Sequence, residues 1–246
     1  MKCYYLTDKG KVRSHNEDGV TIVKNLSNET LMVVADGMGG HKAGEVASSL
    51  AITKLGQRFS SLSSIGAKEE AVEWIRNIIN EINIDILKYA EKHIDSKGLG
   101  TTCVCALITS DYLLFGNIGD SSGFVFKNDK LTKVTSDHTI VGMLVKTGEL
   151  TEEEAKNHPQ KNVLLRALGS NEKIEIDLFD VETSVDGVFL CSDGLTNMVN
   201  PEQIQKVLID DLSIEEKMNK LIVKANLRGG NDNISVAYAD MERGDK

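Results

Sequence analysis

The feature that most restricts this chain is an apolar strand that runs straight into an acid. Leu31-Met32-Val33-Val34-Ala35 is a continuous apolar run with two β-branched valines, and Asp36-Gly37-Met38-Gly39-Gly40-His41 follows without a break. Such a run fits a strand covered on both faces, which requires layers above and below its sheet. Asp36 then sits at the rim of the core, and the glycines after it allow a sharp turn and close approach of a ligand to main-chain carbonyls. The pattern recurs. Val188-Phe189-Leu190-Cys191-Ser192 leads into Asp193-Gly194, and Gly229-Gly230-Asn231-Asp232-Asn233 immediately precedes a strand-like stretch at 234–239. Each Asp-Gly alone is an ordinary hairpin turn. Here, however, a helical pattern follows Gly40 and an irregular stretch ending at Pro201 follows Gly194, so neither has the second strand a hairpin needs. Three strand-end aspartates without basic neighbours in sequence would repel one another if they converged, and divalent cations would resolve that repulsion.

The remaining pattern supplies the layers. Strands are predicted at 3–7, 20–24, 102–109, 112–118, 123–126, 131–135, 174–181, 188–192 and 234–239, with Asn128-Asp129 as a hairpin turn. Ala47, Ala51, Leu55 and Phe59 recur at helical spacing, as do Ala71, Ile75, Ile78, Ile82, Ile86 and Tyr89. Two more helices are predicted at 201–208 and 214–225. Between 136 and 159 the pattern turns polar, with one short helix near 151–157, and looks like an excursion from the core of the kind that lines a site. Strands, two helices, more strands, two helices and a closing strand give the α+β class, read as one domain over 1–246.

Several functions are excluded by residues. A dinucleotide fingerprint starting at Gly37 would need glycine at position 42, which is Lys42, and a P-loop would need Lys-Ser/Thr where Glu45-Val46 stand. With 28 basic against 37 acidic residues and a net charge of −9, the chain has no cationic excess for nucleic acid. Met1-Lys2-Cys3-Tyr4-Tyr5 lacks a signal-peptide core and no run approaches the ~20 apolar residues of a membrane helix, so a cytoplasmic protein is expected. Cys3, Cys103, Cys105 and Cys191 sit in strand-like apolar stretches without zinc-site spacing, which predicts buried, reduced thiols.

Six motifs then stand in order. They are Arg13-Ser14-His15-Asn16-Glu17-Asp18, Ala35-Asp36-Gly37-Met38-Gly39-Gly40-His41, Gly100-Thr101-Thr102, Gly119-Asp120-Ser121, Cys191-Ser192-Asp193-Gly194-Leu195 and Gly230-Asn231-Asp232-Asn233-Ile234. In order and spacing the chain resembles the metal-dependent type 2C Ser/Thr protein phosphatases, and most of all their single-domain bacterial branch. The resemblance implies a four-layer αββα sandwich of two mainly antiparallel sheets flanked by helices, with a flap insertion at about 136–160. It also implies a centre of two core Mn²⁺ or Mg²⁺ ions. By position Asp36 would bridge both ions, the Gly37 carbonyl would bind one of them, and Asp193 and Asp232 would hold the other. Asp18 would act through bound water with Glu17 behind it, and Asp120 with Asp193 would take a weaker third ion.

Arg13 matches the phosphate-binding arginine, and His41 is a candidate general acid. The implied reaction is direct attack of a metal-bridging water on phosphoserine or phosphothreonine. Oxygen-only ligands select Mg²⁺ or Mn²⁺, and two such ions ~3.5–4 Å apart lower the pKa of a bridging water. The implied partners are phosphorylated Ser/Thr proteins and a cognate bacterial eukaryotic-like Ser/Thr kinase, with neither nucleic acid nor membrane, and the protein acting as a monomer. A hydrolase of small phosphoesters and a non-catalytic phosphoprotein-binding module are the competing readings. One departure stands out: the family has Arg after Gly-Asp-Ser, and Ser122 stands here. The loss predicts a weaker third-ion site.

Overall fold

The apolar run lies in β3 (Thr30–Met38), and its side chains alternate between two cores. Leu31, Val33 and Ala35 join one buried cluster, whereas Met32 and Val34 join another. That division explains why the strand has no polar face. The computed structural model describes residues 1–39, 43–93 and 98–241.

One sheet has the order β2 (Asp18–Lys24), β3, β5 (Cys103–Ile108), β6 (Leu113–Ile118) and β9 (Asp177–Val181), and the two-residue β4 (Gly100–Thr101) pairs with the end of β3. The other has the order β1 (Lys2–Asp8), β11 (Ile234–Asp240), β10 (Gly187–Cys191), β7 (Ser122–Lys127) and β8 (Lys130–Lys133). Neighbouring strands pair antiparallel in both. Val34, Val104 and Phe115 of the first sheet meet Val188, Leu190 and Ala237 of the second in a shared inner core. On the outer face of the first sheet, α1 (Ala43–Ser60) and α2 (Lys68–Lys92) bury Leu55, Phe59, Ile75, Ile79, Ile82 and Ile86. On the outer face of the second, α6 (Pro201–Ile209) and α7 (Ile214–Leu227) bury Ile204, Val207, Met218 and Leu221 against Phe189, Val236 and Tyr238. Helix, sheet, sheet, helix: the four layers implied by the resemblance are present.

Local chemistry sets the element ends. Asn200 caps α6 ahead of Pro201, and Ser213 with Glu216 forms a reciprocal capping box on α7. Asn128 and Asp129 both take positive φ (50° and 61°), as the tight hairpin between β7 and β8 requires. The four cysteines are free, and three are buried as expected; Cys3 is only half-buried, because it lies on β1 at the edge of its sheet.

The elements depart from the sequence expectation in four places. β3 does not stop at Asp36 but continues to Met38, because Gly37 and Met38 pair with Thr101 and Gly100. Residues 174–176 are not strand: the β6–β9 ladder ends at the pair Asn117–Asp177, one residue before β6 stops and the chain turns at Gly119 (φ +102°), so Ile174 and Ile176 pack without a ladder. The segment 136–160 holds two helices rather than one. α3 (Ile140–Thr147) is capped by Thr139 and closed by Gly148 in the left-handed conformation, and it is too short for its periodicity to stand out; α4 (Glu152–Lys156) follows. Finally, Asp193 does not enter an irregular stretch but opens a one-turn helix, α5 (Asp193–Thr196).

Candidate metal and phosphate site

Arg13, Asp36, Gly37, Asp120, Asp193 and Asp232 all line one cavity of ≈ 510 Å³ at the end of the sandwich. The two sheets contribute jointly. Asp36 is in β3, Asp120 follows β6, Asp193 follows β10 and Asp232 precedes β11, so the cavity straddles the seam between the sheets.

Each carboxylate has a distinct support. The Asp36 amide donates to Thr102 Oγ1 (2.9 Å) and its carbonyl accepts from the Thr102 amide (2.9 Å) and Thr101 Oγ1 (2.9 Å). Thr102 Oγ1 also meets Ser121 Oγ at 2.7 Å, so one buried threonine ties Asp36 to the turn that carries Asp120. Asp18 faces Asp36 across the β2–β3 ladder and accepts from Ser192 Oγ at 2.7 Å. Its Oδ1 is buried, and it does not itself line the cavity, whereas its neighbour Glu17 forms part of the wall. Asp193 accepts from Asn197 Nδ2 (3.0 Å) and Asp232 accepts from Arg13 (2.7 Å).

Burial and mutual repulsion dominate the electrostatics. Desolvation, then Asp18, Asp193, Asp120 and Asp232, pushes the Asp36 carboxyl well above the usual range. Desolvation first, then neighbouring aspartates, raises Asp18 and Asp120 each to about 7. Asp193 is raised by desolvation and by Asp232. Each of these groups resists ionising beside the others, which is the condition that bound cations relieve.

The residues present fit such cations. Asp18 Oδ1 and Asp193 Oδ1 are buried without a hydrogen-bond partner, and the donors are all oxygen. Among the described residues no three Asp, Glu, His or Cys groups enclose a point by themselves. Asp232, Asp193 and Asp18 are instead held by Arg13, Asn197 and Ser192. Mg²⁺-type ions keep several waters and need few protein ligands, so a loosely gathered set remains a fitting one.

Gly37 is required by packing. A Cβ there would lie 2.2 Å from the Gly44 carbonyl oxygen and 2.5 Å from that of Glu17. His41 lies outside the described residues. Ser122 is buried at 1% exposure in β7, with Oγ 3.5 Å from the Asp120 carbonyl oxygen. The turn does not depend on an arginine there. Gly119 donates its amide to His138 Nδ1 and accepts from the His138 amide and Asn117 Nδ2, and Gly123 donates to Thr135 Oγ1. His138 Nε2 faces Asp177 at 3.0 Å, and Arg166 donates to the other Asp177 oxygen at 2.7 Å.

Sequence reasoning quoted Asn233 without a role. Its Oδ1 accepts from the Glu17 amide, while its Nδ2 donates to the carbonyls of Lys9 and His15. It thereby locks the Arg13 loop against Asp232. His138 has no signal in the sequence, because a lone histidine in a polar segment carries no motif.

The geometry has counterparts among known proteins. The protein phosphatase 2C family model matches residues 9–229. The serine/threonine phosphatase stp of Listeria monocytogenes serovar 1/2a is 42% identical over 244 residues, covering 98% of this chain and 96% of that protein. Serine/threonine phosphatase Stp1 from Staphylococcus aureus superposes with a TM-score of 0.93 at 37% identity, covering 98% of this chain and 95% of that one. The catalytic domain of the phosphatase PstP, solved in complex with two manganese ions, superposes with a TM-score of 0.85 at 33% identity, covering 97% of both chains. With the motifs and the four layers in agreement with these matches, the chain belongs to the protein phosphatase 2C family.

Proposed function

We propose that this protein is a metal-dependent phosphatase that hydrolyses phosphoserine and phosphothreonine in proteins directly, without a phosphoenzyme. The carrying observation is a set of crowded, mutually repelling aspartates, two of them with buried, unpartnered oxygens, at a cavity that Arg13 also lines. The relatives' names as Ser/Thr phosphatases and the two manganese ions of PstP support the same reading.

Asp36, Asp193 and Asp232, with the Gly37 carbonyl, would hold two core Mn²⁺ or Mg²⁺ ions, and Asp18 would act through water bound to them. Asp120 with Asp193 would hold a weaker third. Such ions supply a water nucleophile at neutral pH and neutralise charge on the phosphoryl oxygens. The rest falls to the chain. Arg13 presents a planar fork to two phosphate oxygens and fixes the phosphoryl group over the acidic floor. Thr102 holds Asp36 in place through both backbone groups, so the central carboxylate does not drift as charge shifts. No thiolate competes as nucleophile: among the described residues no cysteine lines the cavity, and burial raises the thiols of Cys103, Cys105 and Cys191.

The whole chain, 1–246, forms one phosphatase domain with a flap at about 136–160. It acts as a monomer in the cytoplasm, opposing a Ser/Thr kinase that phosphorylates the same proteins. Among the described residues no helix is long and apolar enough to cross a membrane. The test is release of phosphate from phosphothreonine peptides in Mn²⁺, with EDTA as control and a nucleotide panel alongside. Activity that survives the chelator, or that is confined to nucleotides, would overturn this reading.

A further inference from the structure

The loop between β1 and β2 is a local exception in an acidic protein. From 9 to 16 it reads Lys-Gly-Lys-Val-Arg-Ser-His-Asn, with two lysines, an arginine and a histidine and no acidic residue, in a chain of net charge −9. Lys9, Lys11, Arg13 and His15 are all exposed. Arg13 is neutralised by Asp232 at 2.7 Å. Among the described residues neither the Lys9 nor the Lys11 ammonium has a carboxylate partner. The nearest acid in sequence, Asp8, is turned to the Gly10 amide (2.8 Å) and to Asn226 Nδ2 (3.0 Å).

The loop is also rigid. Lys11 and Val12 both donate their amides to the Gly230 carbonyl, and Asn233 Nδ2 donates to the carbonyls of Lys9 and His15, one at each end. A Cβ on Gly10 would lie 2.2 Å from the Asp232 carbonyl oxygen, so the loop backbone rests on the residue that faces the cavity. The main chain that carries these two unpaired lysines is therefore held against Gly230, Asp232 and Asn233, and Arg13, two residues after Lys11, lines the acidic cavity. Positive charge held this close to the phosphate arginine by a fixed main chain raises the local concentration of anions.

We propose that Lys9 and Lys11 form an anion subsite next to the phosphate position. It takes an acidic side chain, or a second phosphate, adjacent in the substrate to the phosphorylated Ser or Thr. The proposal rests on the phosphatase reading above and refines its substrate class: phosphoproteins with acidic or multiply phosphorylated sites. An apolar or basic flank gains nothing from the loop.

The experiment compares kcat/KM in Mn²⁺ for phosphothreonine peptides matched except for flanking Glu, Gln or Lys residues or a second phosphothreonine. The enzymes are wild type and Lys9→Glu/Lys11→Glu. Turnover of p-nitrophenyl phosphate, which carries no flanking residues, and thermal melting monitor the integrity of the variant. Wild type should favour the Glu and doubly phosphorylated peptides over the Lys peptide by about 3- to 20-fold at low salt, the scale of two exposed ion pairs. The preference should shrink as the Debye length falls below ~10 Å above 0.1 M salt. The double variant should lose or invert it. A gain for the doubly phosphorylated peptide alone would assign the subsite to phosphate, and a gain for both would assign it to carboxylate as well. Equal rates on all flanks in wild type, or an unchanged preference in the double variant, would overturn the proposal while leaving the phosphatase reading intact. Failure of wild type on every phosphopeptide would overturn both.

Discussion

Asp193 places one oxygen on Asn197 and leaves the other buried and unpartnered, so its chemistry is committed to something the chain does not supply. Asp193→Asn and Asp232→Asn should each abolish a tight Mn²⁺ site in a calorimetric titration and lower turnover by roughly 100-fold or more, a loss of about 2.7 kcal/mol in transition-state stabilisation. Near-wild-type binding in either variant would remove that residue from the centre. Arg13→Ala should leave the fold unchanged and reduce kcat/KM on a phosphopeptide by about 10- to 1000-fold, the scale of one or two charge-assisted hydrogen bonds. Unchanged kcat/KM would reduce Arg13 to a partner for Asp232. At this scale the acidic corners were legible because apolar runs stopping at Asp are a pattern of neighbours in sequence. Asn233 was not legible in the same way, since its three hydrogen bonds reach positions 9, 15 and 17, more than 200 residues away. The clamp exists only once β11 lies beside β1.

Among the elements, α2 supports a loop that lines the cavity. Asn83 is buried in its inner face, accepts from the Gly169 amide (2.8 Å) and donates to the Asn171 carbonyl (2.9 Å). Ser170 and Asn171 line the cavity. Replacing Asn83 by Leu should strand the Gly169 amide at a cost of about 1–3 kcal/mol, read by chemical denaturation, and raise KM for phosphopeptides more than it lowers kcat. Equal stability of the two proteins would show that the loop is held by its other contacts. Long elements with one covered face were legible from periodicity, α1 and α2 foremost. α3 was missed because eight residues between a threonine cap and a glycine stop span barely two turns. The end of β3 was misplaced because its continuation depends on β4, a two-residue strand some sixty positions later.

Across the whole molecule, the crowded carboxylates link stability to pH. In the chelated protein Asp18 and Asp120 stay protonated up to about 7, whereas in the unfolded chain an aspartate ionises near ~3.9. Between those values the native state binds more protons than the unfolded state, so stability falls as pH rises through this window. The melting temperature of the EDTA-treated protein should drop by roughly 5 °C or more from pH 5 to pH 7.5, and Mn²⁺ at the higher pH should restore it. A flat profile would mean that these aspartates ionise without cost. The four layers were legible from apolar runs and helical stripes. The convergence of the acids was inferred first from repulsion and then from resemblance, because nothing in a linear sequence measures distance across a seam.

That seam has a mechanical consequence. One side of the centre is carried by β2 and β3, the other by the ends of β10 and β11, so cations bound there would rivet two slabs otherwise joined by apolar side chains and a few hydrogen bonds such as Ser192 to Asp18. A slip of one residue along a strand is about 3.3 Å, enough to part the ligands while leaving every ladder intact. Gentle heating or pressure should therefore silence the enzyme before its circular dichroism changes, and the gap between the two transitions should narrow as Mn²⁺ is raised.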